Sequence, residues 1–73
     1  MRAERLVTMA NQIASFYEPQ PDRATAANAV AGHLRRFWAP AMRRDLQLHV
    51  DQTGGEGVSA LVLEALRTPT FAR

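Results

Sequence analysis

Residues 33–44 read HLRRFWAPAMRR, and Pro40 within this stretch decides how the chain folds. A proline cannot continue a helix that reaches it, but its missing N–H and fixed φ suit the first turn of a new helix. We therefore expect one helix to end at Trp38 and another to begin at Pro40. Apolar residues on both sides recur at three- and four-residue steps, which indicates amphipathic helices.

Similar signals divide the rest of the chain. The EPQPD segment at 18–22 separates two helices, and its aspartate is a typical N-cap, as is Ser59. The GGEG segment at 54–57 ends a third helix, with one glycine expected in the left-handed conformation. Pro69 is expected to stop the last helix, so that residues 70–73 fray. We predict an all-α fold, a small bundle of three helices plus a short C-terminal fourth helix, at about 3–17, 22–38, 40–52 and 59–67.

The apolar stripes of these helices define the expected core. Phe37 is included because it continues the stripe of Val30 and Leu34 on the second helix. Trp38 is expected to be buried, either against a partner or against the start of the third helix. The predicted core consists of Leu6, Met9, Ile13, Val30, Leu34, Phe37, Leu46 and Val50.

Size and composition exclude several classes of protein. The 73 residues fit one small helical domain over 1–73, which has little room for a cofactor pocket. The absence of cysteine excludes disulfides and cysteine-based zinc sites, and fits a reducing cytoplasm. No targeting segment and no apolar run of about 20 residues is present, so we expect no membrane insertion. The net charge of +2 is small for a nucleic-acid-binding protein.

No motif in the chain predicts catalysis. His33 and His49 fall on different predicted helices, without the spacing of a metal-binding motif. The glycines of 54–57 follow a helix rather than a strand and lack the GK[ST] ending of a phosphate-binding loop. We therefore predict no catalytic, cofactor-binding or metal-binding residue in this chain.

The corner stretch has the composition of a binding surface. It combines arginines with tryptophan and methionine, and Arg and Trp are enriched among residues that dominate interface energies. The predicted partner interface consists of Arg35, Arg36, Trp38, Pro40, Met42, Arg43 and Arg44. A helix-turn-helix that contacts nucleic-acid phosphates through the arginines is the alternative from another class.

Three stretches together resemble one known family. They are MANQIA at 9–14 with Phe16, HLRRFWAPAMR at 33–43, and the segment from GGEG to Ala65 and Leu66 at 54–66. In this order and spacing they are similar to the delta subunit of NAD-dependent formate dehydrogenase. The Phe-Trp-x-Pro-x-Met-Arg string is the most specific of the three.

This resemblance implies an accessory subunit of a cytoplasmic, molybdenum- or tungsten-dependent enzyme that converts formate and NAD⁺ to CO₂ and NADH. In that family the catalytic (alpha) subunit holds the molybdopterin cofactor and iron–sulfur clusters, and other subunits carry FMN, the NAD site and a further cluster. The implied partner is the catalytic subunit, with no nucleic acid and no membrane. A transient maturation chaperone of the same enzyme is the alternative role.

Overall fold

The computed structural model describes residues 2–72, which form five α-helices and no strand. The predicted all-α class is confirmed, and the first four helices begin and end within one residue of the expected positions. The helices are α1 (Ala3–Tyr17), α2 (Arg23–Phe37), α3 (Pro40–Thr53), α4 (Ala60–Leu66) and α5 (Pro69–Ala72).

The corner between α2 and α3 forms as the proline predicts. Trp38 leaves the helical conformation with φ −91° and ψ 140°, although its N–H still donates to the Leu34 carbonyl at 3.0 Å. Ala39 is extended as well, because the ring of a following proline clashes with helical backbone at this position. Pro40 then occupies the first turn of α3, where its missing N–H costs no hydrogen bond.

Other helix ends follow local sequence signals. Gly54 ends α3 in the left-handed conformation at φ 74°, and its N–H donates to the Val50 carbonyl at 2.8 Å. Ser59 caps α4, since its hydroxyl oxygen accepts the Val62 N–H at 3.3 Å. Asp22 precedes α2 as expected, but its carboxylate accepts the hydroxyl of a threonine in the first turn instead of a backbone N–H.

The prediction that the chain frays after Pro69 is wrong for the part of the chain that the structure describes. Pro69 begins the single-turn helix α5, as Pro40 begins α3. The Thr68 hydroxyl oxygen accepts the Phe71 N–H at 3.2 Å, and the Phe71 side chain packs against the core. This contact holds α5 against the core; Arg73 lies outside the described residues.

The core lies around α2, which contacts each of the other four helices. Among the residues that the structure describes, six of the fifteen buried apolar side chains are alanines, and their small size lets the helices approach closely. Four residues of the predicted core are fully buried, namely Leu6, Val30, Leu34 and Leu46. Three more pack against the core while partly buried, namely Met9, Ile13 and Val50. Helix α4 adds residues absent from that prediction, namely Leu61, Val62, Ala65 and Leu66.

The prediction that Phe37 belongs to the core is wrong. Its side chain is 67% exposed, and its ring lies against His33 of the same helix. Trp38 is only 6% exposed and belongs to the core instead of Phe37. Phe37 is the last residue of α2, and its ring does not pack against the core cluster. Because α2 ends at Phe37, the extended backbone at the next residue directs Trp38 inward instead.

Candidate functional site

The predicted partner interface divides into inward and outward residues. Arg36, Pro40 and Arg44 are exposed, and Trp38 is buried within this chain. Met42, in the first turn of α3, is partly buried and packs against the same core as Trp38. Of the predicted interface residues, Arg36 and Arg44 are therefore exposed arginines, Arg35 and Arg43 are partly buried, and Trp38 and Met42 stabilise the fold.

Arg43 is bonded within the chain. Its Nη1 atom donates to the Trp38 carbonyl at 2.8 Å and to the Arg35 carbonyl at 3.1 Å. The last carbonyls of a helix lack partners within that helix and carry its negative dipole end, so a guanidinium there satisfies both requirements. Arg43 thus fastens α3 to the end of α2. The sequence shows an arginine at this position, but only the geometry of the corner reveals that it bonds these two carbonyls.

An exposed aromatic and basic patch lies beside the corner. We call His33, Arg36 and Phe37 the Phe37 patch. The His33 and Phe37 rings lie 4.8 Å apart between centroids, with an angle of 47° between their planes. The Arg36 guanidinium carbon lies 5.7 Å from the Phe37 ring centroid, within the range of cation–π attraction. The patch holds a large apolar ring at the surface with cationic and imidazole groups against it.

The stretch of sequence that contains this patch carries charges of one sign only. Residues 23–44 contain five arginines and one histidine but no aspartate or glutamate. Within residues 2–72, both ion pairs belong to Arg23, which contacts Glu64 at 2.9 Å and Glu18 at 3.0 Å. Hydrogen bonds to Glu64 and then to Glu18 raise the pKa of Arg23 above its ordinary value. Within the described part of the chain, the arginines at the corner therefore make no ion pair, although Asp45 directly follows Arg44 in sequence.

Asn11 organises the glycine-rich segment at the opposite end of α3 from the corner. Its Nδ2 atom donates to the Gly57 carbonyl at 2.9 Å, and its Oδ1 atom accepts the Ser59 N–H at 3.0 Å. These two bonds hold the loop before α4 against α1. The glycines of 54–57 thus act in a helix end and a turn, as the sequence indicates. Nothing in the periodicity of α1 singles out Asn11, because its partners lie far along the chain.

The histidines occupy structural positions. His33 contacts Phe37, and the His49 Nε2 atom lies 2.8 Å from the Glu56 carbonyl oxygen. No group of three or more His, Cys, Asp or Glu side chains able to hold a metal ion occurs within 2–72.

A surface groove of about 200 Å³ lies between the start of α1 and the outer face of α3. It is smaller than the roughly 300–1,000 Å³ of typical small-molecule sites. The groove is lined by Ala3, Asp45, Leu48, His49 and Gln52.

No helix in the described part of the chain has both the length and the apolar character needed to cross a bilayer. Comparison with known families gives a match over residues 5–66, to the family described as NADH-dependant formate dehydrogenase delta subunit FdsD. This range includes Asn11, the corner and the loop before α4. Neither the curated proteins nor the solved structures contain a significant match to the chain.

Proposed function

Since this chain belongs to the NADH-dependent formate dehydrogenase delta subunit family, we propose that it is a non-catalytic accessory subunit of such a complex. In this proposal it binds the catalytic subunit and supports the assembly or stability of the enzyme that converts formate and NAD⁺ to CO₂ and NADH. The family match over residues 5–66 is the observation that carries the proposal, because it spans every feature of the fold that organises the corner.

The contacts that the polar side chains make within the chain support a binding role. Asn11 and Arg43 hold backbone groups of this chain in place, and Ser59 caps a helix. General acid–base catalysis needs a titratable group within hydrogen-bond reach of a substrate, and the histidines here contact the chain itself. These polar side chains bond within the chain, and the corner arginines make no ion pair in its described part. A subunit of this kind is suited to contact another protein.

The cofactors of the reaction belong to other subunits in this proposal. The chain has no cysteine, so it cannot supply the thiolates that hold iron–sulfur clusters. The molybdopterin cofactor, the iron–sulfur clusters, FMN and the NAD site are assigned to the catalytic and flavin-bearing subunits. The cytoplasmic setting of the complex is part of the same proposal.

Co-expression tests this function. A tagged full-length chain is expressed with the other subunits of its formate dehydrogenase, isolated, and assayed for formate-dependent NAD⁺ reduction. We expect the catalytic subunit to co-purify with the chain and the activity to accompany it, whereas the chain by itself shows no turnover. Turnover by the isolated chain would contradict the proposal.

Two other results would replace this proposal with a different function. Recovery of the chain with immature catalytic subunit only, and its loss from the cofactor-loaded complex, would identify a maturation chaperone. Salt-sensitive retention of the chain on DNA, abolished by Arg35→Ala with Arg36→Ala, would identify a nucleic-acid-binding protein instead, because phosphate contacts weaken with rising salt.

A further inference from the structure

We propose that Phe37 is the anchor by which this chain docks on the catalytic subunit, and that it enters an apolar pocket with an acidic rim. This inference rests on the proposed function for the identity of the partner. It adds the surface that makes contact and the chemistry that the partner presents. Phe37 was not among the interface residues predicted from the sequence, where it was assigned to the core.

The placement of the Phe37 ring is the first reason. An exposed phenylalanine gains no burial within its own chain, yet this ring is 67% exposed at the end of the helix that contacts every other helix. Contacts with His33 and Arg36 limit its freedom, so less side-chain entropy is lost on binding. Aromatic residues and arginine are both enriched at the centres of protein interfaces.

The charge of the surroundings indicates the chemistry of the partner. Phe37 lies in the stretch 23–44, which has only basic and neutral side chains. A basic surface favours association with an acidic one, through faster encounter and through arginine–carboxylate hydrogen bonds. The pocket that receives Phe37 is therefore expected to carry aspartate or glutamate at its rim, facing Arg36.

Another exposed aromatic residue offers a direct comparison. Phe16 is 79% exposed near the end of α1, and its ring makes an edge-on contact with Tyr17 at 5.3 Å between centroids. Its neighbours in sequence include Glu18 rather than a cluster of arginines. Phe16 thus has similar apolar exposure without the basic surroundings, which makes it a matched control for the Phe37 patch.

The decisive experiment compares Phe37→Ala with Phe16→Ala. Each full-length variant is expressed with the other subunits, and the complex is isolated through a tag on the catalytic subunit. The amount of chain retained per catalytic subunit is then measured by quantitative mass spectrometry. We expect Phe37→Ala to weaken retention at least ~10-fold, as at interface hot spots. Phe16→Ala is expected to stay close to the unmodified chain.

A charge reversal tests the acidic rim. Arg36→Glu and Arg67→Glu change the net charge equally, and both positions are exposed. We expect Arg36→Glu to lower retention and to reduce its sensitivity to salt, whereas Arg67→Glu has little effect. Equal effects of the two reversals would overturn the acidic rim.

The outcomes separate this inference from the proposed function. Failure of the unmodified chain to associate with the catalytic subunit would refute both. Normal retention of Phe37→Ala, with the unmodified chain bound, would overturn the anchor and leave the accessory role intact. The amount of each variant in the cell extract, measured by immunoblot, distinguishes lost docking from lost folding, and an equal amount is expected because Phe37 is exposed.

Discussion

At the scale of single residues, Arg43 and Asn11 each connect two segments of the fold. Each side chain makes two hydrogen bonds to backbone groups of another segment. Backbone groups at helix ends and in loops otherwise depend on water, so such bonds restrict how the segments can move. Both residues therefore contribute to the shape of the corner and of the loop before α4.

Replacing Arg43 by alanine is expected to destabilise the corner. The substitution removes the donor for the Arg35 and Trp38 carbonyls, and hydrogen bonds from a charged group contribute about 1.5–3 kcal/mol where they are shielded from water. Since Arg43 is only half-buried, we expect the free energy of unfolding to fall by about 1 kcal/mol. Urea unfolding monitored by circular dichroism measures this change in the free energy of unfolding.

Arg44→Ala is the matched control for this change. Arg44 is exposed, and surface substitutions of this kind usually alter stability by less than about 0.5 kcal/mol. Equal losses from Arg43→Ala and Arg44→Ala would show that the two carbonyl bonds do not hold the corner.

Asn11→Ala is expected to loosen the loop before α4. It leaves the Gly57 carbonyl and the Ser59 N–H without their partner, at a cost of about 1–2 kcal/mol for two neutral hydrogen bonds. Gln12→Ala, at an exposed neighbouring position, is expected to be nearly neutral. Hydrogen exchange of the Ser59 amide gives a local readout; unchanged protection of that amide in Asn11→Ala would contradict the role of the side chain.

Single residues also differ in how far the sequence predicts their roles. Pro40 and Ser59 act through their immediate neighbours, so their effects could be predicted from local sequence. Phe37 is exposed, contrary to the prediction, while Trp38 is buried as expected, because burial at the corner depends on where the helix ends and on what covers each side chain. The bonds of Arg43 likewise depend on the angle of the corner, which local propensity does not specify.

At the scale of elements, two glycines occupy opposite environments. Gly32 lies inside α2, and a Cβ added there would meet no other atom within 4 Å. The close helix contact that could explain a glycine there is therefore absent. Gly54 ends α3 at φ 74°, a conformation that other residues rarely adopt. The same substitution should thus have opposite effects at the two positions.

Gly32→Ala is expected to raise the free energy of unfolding by roughly 0.5–1 kcal/mol, because alanine is the better helix former. Gly54→Ala is expected to lower it by about 1–2 kcal/mol, because the left-handed conformation is strained for alanine. Thermal unfolding of the two variants measures both effects. A change of the same sign in both would contradict the backbone assignments.

Whole helices were easier to predict than their packing. Proline and glycine positions predict the ends of α1 to α4, whereas they do not predict α5, because Pro69 is expected only to stop a helix. The same chemistry allows a proline to start a helix, and Phe71 secures this one by packing on the core. That contact spans separate parts of the chain, so local sequence could not reveal it.

At the scale of the whole molecule, the contacts of α2 with every other helix imply cooperative unfolding. Trp38, the only tryptophan, is buried in the shared core and reports on that core by its fluorescence. We expect the fluorescence of Trp38 and the far-UV circular dichroism to change at the same urea concentration, as in a two-state transition. Separate midpoints would show that part of the bundle unfolds independently.

Native mass spectrometry of the intact formate dehydrogenase tests the claim that this chain is a lasting accessory subunit. The complex is isolated through its catalytic subunit, from cells with and without this chain. We predict that the chain accompanies the cofactor-loaded catalytic subunit at a fixed stoichiometry, and that its mass alone is missing from the deletion sample. A mature complex that never contains the chain would contradict the claim.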